Sequence, residues 1–140
     1  MKTRAALIRF NEWQVDEKRK ALADLFAAID MLERDEERLT VTTSLEQVKA
    51  AENEIGRIGY PGFARGVIAR RHNIELSRME LEAQIDSAKE ALQLAYQELK
   101  KIEIMEERRK EKQRKELDRR EQAELDEIAQ QRFTSKSGDR

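Results

Sequence analysis

Apart from its 29 Asp and Glu residues, this 140-residue chain has few side chains typical of a catalytic or metal-binding site. His72 is the one histidine and cysteine is absent, so the chain has no thiol nucleophile, no disulfide and no thiolate metal ligand. Gly59, Gly62 and Gly66 do not precede a Lys-Ser or Lys-Thr pair, so they do not form a phosphate-binding loop. We therefore expect no enzymatic activity, no cofactor, no bound metal and no small-molecule ligand.

A cluster of basic residues is the strongest charge feature of the chain. Residues 108–115 contain six basic residues and one Glu, a local charge of +5. The basic residues are Arg108, Arg109, Lys110, Lys112, Arg114 and Lys115. The cluster fits either a solvated helix face or a surface that docks into an acidic opening on a partner protein. Because acidic residues follow over 118–127 and no aromatic residue is interleaved, we expect no nucleic-acid binding.

The N-terminal segment carries large apolar side chains, in contrast to the charged segment near the C-terminus. Residues 106–127 contain 17 charged residues, whereas the N-terminal segment carries Leu7, Ile8, Phe10 and Trp13. These apolar residues either form an interaction surface or pack on the alkyl stems of Arg and Lys side chains.

The elements that position these residues are predicted to be long helices. Charged residues make up 41% of the chain, aromatic residues 5%, and the net charge is −1. This leaves too few apolar side chains for a compact core. Apolar residues recur at alternating spacings of three and four, which is the pattern of heptad a and d positions in a coiled coil. We call these positions the seam. In the first half the seam comprises Val15, Leu22, Leu25, Ile29, Leu32 and Leu39, with Lys18 and Glu36 between them. In the second half it comprises Ile74, Leu81, Ile85, Ala88, Leu92, Ala95, Leu99 and Ile102, with Arg78 as its polar member.

The chain has one cluster of helix-breaking residues. Four of the five glycines and the one proline lie within 56–66. Two helices joined by a short turn fold back on each other. We therefore predict an all-α, elongated, antiparallel two-helix coiled-coil hairpin as a single domain over residues 1–133. Its helix 1 spans about 3–57, the turn about 58–63 and helix 2 about 64–133, and residues 134–140 form a disordered tail.

The two seams also predict a register. In an antiparallel pair, the numbers of facing residues have a constant sum, and five seam pairs agree to within one residue. These are Leu22 with Leu99, Leu25 with Ala95, Ile29 with Leu92, Leu32 with Ala88, and Leu39 with Leu81. This register places the turn near Tyr60 and Ile8 opposite Gln113. Beyond Leu117, helix 2 then extends past helix 1 and carries Leu125, Ile128 and Phe133 as a short apolar face.

Residues 40–44 form a β-branched, hydroxyl-rich run within helix 1. Thr43 and Glu46 have the spacing of a capping box, and the apolar pattern changes phase to Val41, Leu45, Val48 and Ile55. The run is either a step inserted into one continuous helix, with locally altered supercoiling, or a true break that begins a separate helix.

Two segments of the chain resemble a known family. One is the C-terminal stretch 115–133, which ends in Leu-Asp-Glu-Ile-Ala-Gln-Gln-Arg-Phe, and the other is the N-terminal run from Leu7 to Leu25. Together with the hairpin length and the single Gly/Pro break, they resemble the flagellar export protein FliJ. The resemblance covers nearly the whole chain.

The resemblance implies a cytoplasmic component of the flagellar type III export apparatus, located at the inner membrane. FliJ proteins are antiparallel coiled coils similar to the central stalk of rotary ATPases. Their open end lies in the pore of the hexameric export ATPase FliI, they contact the cytoplasmic domain of the export gate FlhA, and they are linked to export chaperones.

The resemblance also implies two binding surfaces in this chain. Gate contacts near the helix connection fall on Phe63, Val67, Arg70 and Ile74, whose spacing is that of one helical face. Helix 1 offers Leu39, Val41 and Leu45 there. The ATPase-binding surface combines Leu7, Ile8, Phe10 and Trp13 with the basic cluster. Two alternatives to a flagellar stalk are a generic coiled-coil adaptor or export chaperone, and the stalk of an injectisome.

Overall fold

The fold consists of two long helices. A computed structural model describes residues 2–138, with side chains for residues 3–136. Helix α1 spans Lys2–Glu52 and helix α2 spans Glu54–Gly138. The part of the chain that the structure describes contains no strand. The predicted all-α fold of two helices packed against each other is confirmed.

A single residue, Asn53, connects the helices. Its backbone N–H donates to the Lys49 carbonyl (3.0 Å) and closes α1, and its own carbonyl accepts from the Arg57 N–H (3.1 Å) and opens α2. Its side-chain oxygen also accepts from the Ile55 N–H at 2.9 Å, which is the geometry of a helix N-cap. Asn53 therefore satisfies backbone groups at the ends of both helices.

The corner also depends on a close approach at Gly56. A Cβ at this position would lie 2.7 Å from the Lys49 carbonyl oxygen, which is closer than real Cβ contacts come. In contrast, a Cβ at Gly59, Gly62 or Gly66 would meet no atom within 4 Å. Only one of these four glycines is therefore required by the packing of the corner.

The connection differs from the predicted turn at 58–63. Residues 58–63 are helical and lie inside α2 together with Pro61. The N-cap at Asn53 begins α2 before the Gly/Pro cluster is reached, so the cluster does not mark the turn. At the other end, residues 134–138 continue α2 where a disordered tail was expected, while residues 139 and 140 lie outside the described part.

The chain divides into two compact units. The hairpin unit is Glu12–Tyr96, and the terminal unit combines Met1–Asn11 with Gln97–Arg140. In the hairpin unit, Gln47 bonds to the Tyr60 hydroxyl (3.1 Å) and Arg19 bonds to the Tyr96 hydroxyl (3.2 Å). As the position along α1 falls, the partner's position along α2 rises, so the helices of this unit are antiparallel.

The register of the hairpin unit differs from the predicted one by about one heptad. The predicted constant sum places Glu36 opposite Ile85, but Glu36 bonds to Arg78. Arg71 bonds to Thr40 at 3.4 Å, and it also lies closer to the N-terminus of α2 than the predicted register places the partner of Thr40. The shorter connection at Asn53 moves the facing residues of α2 toward its N-terminus. Because the seam repeats every seven residues, it keeps its apolar content after this shift.

The seam itself lies where the heptad pattern places it. Of the predicted seam residues, Val15, Ile74, Ile85 and Leu99 are buried and the others are half-buried. Val67, seven residues before Ile74, is also buried and extends the seam. The predicted phase change in α1 is wrong, since Val41, Leu45, Val48 and Ile55 are all more than half exposed. The half-buried positions there are Thr43, Glu46 and Ala50, which continue the original heptad without a step.

Helix α1 is continuous through residues 40–44. Thr40, Thr43 and Ser44 donate their hydroxyl protons to the carbonyls four residues earlier, at 3.0, 2.7 and 3.1 Å. Hydroxyl groups that bond back to the helix in this way do not cap a new one. The run is therefore neither a break nor an inserted step.

Candidate functional site

The terminal unit contains an open apolar pocket between its two helical segments. Its apolar lining is supplied by Leu7 and Ile8 of α1 and by Ile102 and Met105 of α2. Leu7 is 48% exposed and Met105 is 60% exposed, so much of this apolar surface is in contact with solvent. The pocket has a volume of about 310 Å³, which is room for one large side chain.

The rim of the pocket is charged. It is formed by Arg4, Glu106 and Arg109, of which the last two occupy seam positions of α2. Arg109 donates two hydrogen bonds to Glu106, at 2.6 and 3.2 Å. This bond lowers the pKa of the Glu106 carboxyl, and the positive charges of Arg109, Arg4 and Lys110 lower it further, while burial opposes the shift. The same bond raises the pKa of Arg109.

A polar residue lies in the seam next to this pocket. Asn11 is 8% exposed and donates its side-chain N–H to the Leu7 carbonyl at 2.8 Å. An Asn in a coiled-coil seam lowers stability but restricts the pairing to one register.

The basic cluster of α2 separates into paired and unpaired cations. Within the cluster, Arg109 bonds to Glu106, and Arg114 bonds to Glu111 (2.6 Å) and Asp118 (3.4 Å). Just beyond the cluster, Arg119 bonds to Glu116 (2.9 Å). These bonds lower the pKa of Glu111 and Glu116. The remaining cations of the cluster make no ion pair with any residue whose side chain is described. They are Arg108, Lys110, Lys112 and Lys115, and all are exposed.

Three of the unpaired cations lie along one face of α2. Arg108, Lys112 and Lys115 line a shallow groove together with Arg119 and two glutamates. Their spacing of four and three keeps them on one side of the helix. We call these three residues the basic ridge.

The helix connection in the hairpin unit combines buried and exposed residues. Val67 and Ile74 are 8% and 7% exposed and therefore belong to the seam. Phe63 and Leu39 are half-buried, and the Phe63 ring lies 6.4 Å from the Tyr60 ring, centroid to centroid. Exposed residues in the same region are Val41, Leu45 and Arg70.

Helix α1 also carries an apolar stripe on its outer side near the connection. Counting from the seam, Val41 and Val48 occupy f positions and Leu45 a c position, and both positions face away from the partner helix. Their exposed fractions lie between 53% and 60%.

Residues 7–138 match the family model described as flagellar FliJ protein. The chain belongs to the FliJ family. Neither the comparison with curated proteins nor the comparison with solved structures gave a significant match.

Membership in the FliJ family makes this chain a component associated with flagellar protein export and flagellum biogenesis. The family is a non-catalytic part of that system. Within residues 2–138, no helix has the length and apolarity needed to cross a membrane. Over the same residues, no group of acidic, His or Cys side chains is arranged to hold a metal ion.

The structure brings some of the residues of the expected ATPase-binding surface together and separates others. Leu7, Ile8 and Arg109 line the same pocket, whereas the basic ridge begins at the neighbouring Arg108 and lines a separate groove of α2. Phe10 and Trp13 are each 54% exposed, at c and f positions on the outer side of α1, and Trp13 belongs to the hairpin unit.

The predicted register leaves the N-terminal apolar residues opposite a charged segment of helix 2, and the lining of this pocket shows that this prediction is wrong. The predicted register placed Ile8 opposite Gln113, whereas Ile8 lines the pocket with Ile102 and Met105. Sequence reasoning also missed Arg4 and Glu106. Continuing the heptad from Val15 toward the N-terminus places Ile8 and Arg4 in the seam, so the signal was present in the pattern.

Proposed function

We propose that this FliJ-family chain is a stalk of the flagellar type III export machine. Its terminal unit docks in the hexameric export ATPase FliI, and its helix connection contacts the cytoplasmic domain of the export gate FlhA. In this role it acts at the cytoplasmic side of the inner membrane and promotes export.

The observation that carries the ATPase proposal is the division of charge along α2. Two of the three arginines of the cluster are bonded to carboxylates of their own helix, whereas the basic ridge makes no ion pair with a residue whose side chain is described. Unpaired cations on one face attract an acidic surface and increase the rate of association with it. The apolar pocket at the same unit adds surface that a partner can bury.

Charge reversal on the basic ridge tests ATPase docking. We expect the double variant Arg108→Glu with Lys115→Glu to bind the ATPase ring at least about tenfold more weakly at low salt. Stimulation of ATP hydrolysis should fall with binding, while helicity measured by circular dichroism stays unchanged.

The matched control is Arg34→Glu with Arg65→Glu. These arginines are also exposed and make no ion pair with a described residue, but they lie in the hairpin unit. Equal binding by the ridge variant and the control would refute the ATPase proposal. A stoichiometry of one chain per ring would distinguish a stalk from a chaperone that binds many clients.

The gate proposal rests on the exposed residues at the connection. Since Val67 and Ile74 are buried in the seam, they contribute to gate binding by holding the helices that carry the exposed contact residues. We expect Leu45→Ser with Arg70→Glu to lose capture of the FlhA cytoplasmic domain without losing ATPase binding.

Leu94→Ser with Arg34→Glu is the control for the gate surface, because Leu94 is 66% exposed and distant in sequence from the connection. Retained gate capture by Leu45→Ser with Arg70→Glu, at the level of this control, would rule out the connection as the contact.

A further inference from the structure

The pocket of the terminal unit has an apolar interior and an excess of positive charge at its rim. Glu106 is occupied by two hydrogen bonds from Arg109. Arg4, also on the rim, makes no ion pair with any residue whose side chain is described. A ligand of this pocket therefore meets apolar side chains inside and an unpaired guanidinium at the edge.

The surrounding charges strengthen this asymmetry. The positive charges of Arg4, Arg109 and Lys110 all act on the single carboxylate of Glu106. The rim itself carries the guanidinium groups of Arg4 and Arg109 and the carboxylate of Glu106, so its net charge is positive, which favours a negatively charged group near the opening. An arginine that pairs with a carboxylate at the edge of an apolar contact gives both charge and geometric selectivity.

We propose that this pocket is a socket for an acidic, apolar segment of a partner protein: one large apolar side chain enters between Ile8 and Met105, and an adjacent carboxylate pairs with Arg4. The identity of that partner as the export ATPase rests on the proposed function. The chemistry of the socket rests on the pocket alone.

The volume and the exposure of the lining agree with such an occupant. The pocket accommodates a side chain of the size of Leu or Phe, and burying it would remove exposed surface of Leu7 and Met105 from water. Two terminal units placed pocket to pocket would bring together two rims of the same sign, which repel each other.

A short peptide tests the socket on the full chain. The probe is a peptide with a central Leu-Phe pair flanked by Asp residues, compared with the same peptide flanked by Lys residues. We expect the acidic peptide to shift the methyl resonance of Met105 in a saturable way. Its affinity should exceed that of the basic peptide by about tenfold or more.

Two pairs of variants identify the binding site. Met105→Gln should weaken binding of the acidic peptide about tenfold, whereas Ile104→Gln, at the neighbouring exposed residue outside the pocket, should not. Arg4→Glu should remove the preference for the acidic peptide, whereas Arg9→Glu, an exposed arginine outside the pocket, should leave it intact.

Several results would overturn the socket. One is a Met105 resonance that does not move while the peptide binds, which would place the peptide elsewhere, for example on the basic ridge. Another is equal affinity of each variant and its control. A third is sedimentation of a dimer that Met105→Gln dissociates, which would make a second copy of the chain the occupant.

The same variants separate the socket from the proposed function. If the peptide results hold but wild-type chain fails to bind the ATPase ring, the ATPase proposal fails and the socket stands. A second outcome is that the ring binds wild type and both pocket variants equally, and that each pocket variant also binds the acidic peptide as its control does. In that case the socket fails and docking through the basic ridge stands.

Discussion

Among the described residues, the hairpin unit has one ion pair between its helices in addition to pairs within α1, and the terminal unit has no cross-helix pair. In the hairpin unit, Arg78 of α2 bonds to Glu36 of α1, and this bond raises the pKa of Arg78. In the terminal unit, all ion pairs found among the described residues lie within α2, three or four positions apart. A pair that crosses between helices restricts their register, whereas a pair within one helix supports only that helix.

The apolar surface differs between the units in the same sense. The hairpin unit holds three of the buried residues of α2 in its seam, Val67, Ile74 and Ile85. In the terminal unit, every described side chain from Leu117 to Lys136 is exposed. The comparison indicates that α2 is packed in the hairpin unit and exposed after Leu117 in the part of the terminal unit that the structure describes.

The largest expected effect comes from removing a buried apolar side chain of the hairpin unit, compared with an exposed one of the terminal unit. Ile85→Ala should destabilise the chain by about 2–4 kcal/mol, because Ile85 is 6% exposed and its loss leaves a cavity. Leu125→Ala should change the free energy of unfolding by less than about 0.5 kcal/mol, because Leu125 is 60% exposed. Urea unfolding followed by circular dichroism measures both. Similar losses for the two variants would show that α2 is packed after Leu117.

A smaller effect is expected at the corner of the hairpin unit. Gly56→Ala should destabilise by about 1–3 kcal/mol, since its Cβ would collide with the Lys49 carbonyl. Gly66→Ala should instead stabilise by about 0.5–1 kcal/mol, because its Cβ meets open space and Ala is the better helix former. Thermal unfolding of the two variants gives the sign of each change. A stabilising Gly56→Ala would mean that the helices do not approach each other at this residue.

The smallest effect is a pH dependence at the pocket rim. The pKa of Glu106 is lowered in the folded chain from its ordinary value of 4.5, so the ionised form is the one stabilised by folding. Its contribution is present above about pH 4.5 and is lost as the pH falls through the lowered folded pKa. We expect Glu106→Gln to lower the melting temperature at pH 7, and the difference from wild type to shrink in acid. A difference that is constant with pH would remove the role assigned to the bond from Arg109.

The periodicity of the sequence predicted the fold, and it predicted less about the register. Spacings of three and four identify the a and d positions, so the seam from Val15 to Leu39 and from Ile74 to Ile102 agrees with the observed burial. A shift of one heptad leaves all of these residues in the seam, so periodicity alone does not distinguish the two registers. The cross-helix bond from Arg78 to Glu36 distinguishes the two registers, because it forms only in the observed one.

The turn was misplaced because the local signals competed. Gly59, Pro61 and Gly62 are the usual residues of a turn, yet they are accommodated within α2. The decisive groups are the Asn53 side chain, which caps α2, and the absence of a Cβ at Gly56. The contact at Gly56 depends on how closely the two helices approach, and a one-dimensional pattern does not contain that distance. The Asn53 cap is a local contact over two residues, and the prediction placed the turn at the Gly/Pro cluster instead.

The binding surfaces were predicted unevenly for a related reason. The basic cluster is visible in the sequence, but which of its cations are bonded to carboxylates depends on side-chain geometry. The pocket combines α1 and α2 residues that only the correct register brings together. The resemblance supplied positions for the gate surface, and the structure assigns Val67 and Ile74 among them to the seam.

The one-residue connection at Asn53 has a consequence for how the hairpin unit folds. Contacts near the corner, such as that between Gln47 and Tyr60, close short loops, and the entropy lost on closing a loop grows with its length. Contacts such as that between Arg19 and Tyr96 close much longer ones. We therefore expect folding of this unit to begin at the corner and to proceed layer by layer away from it, because the contacts nearest in sequence form first.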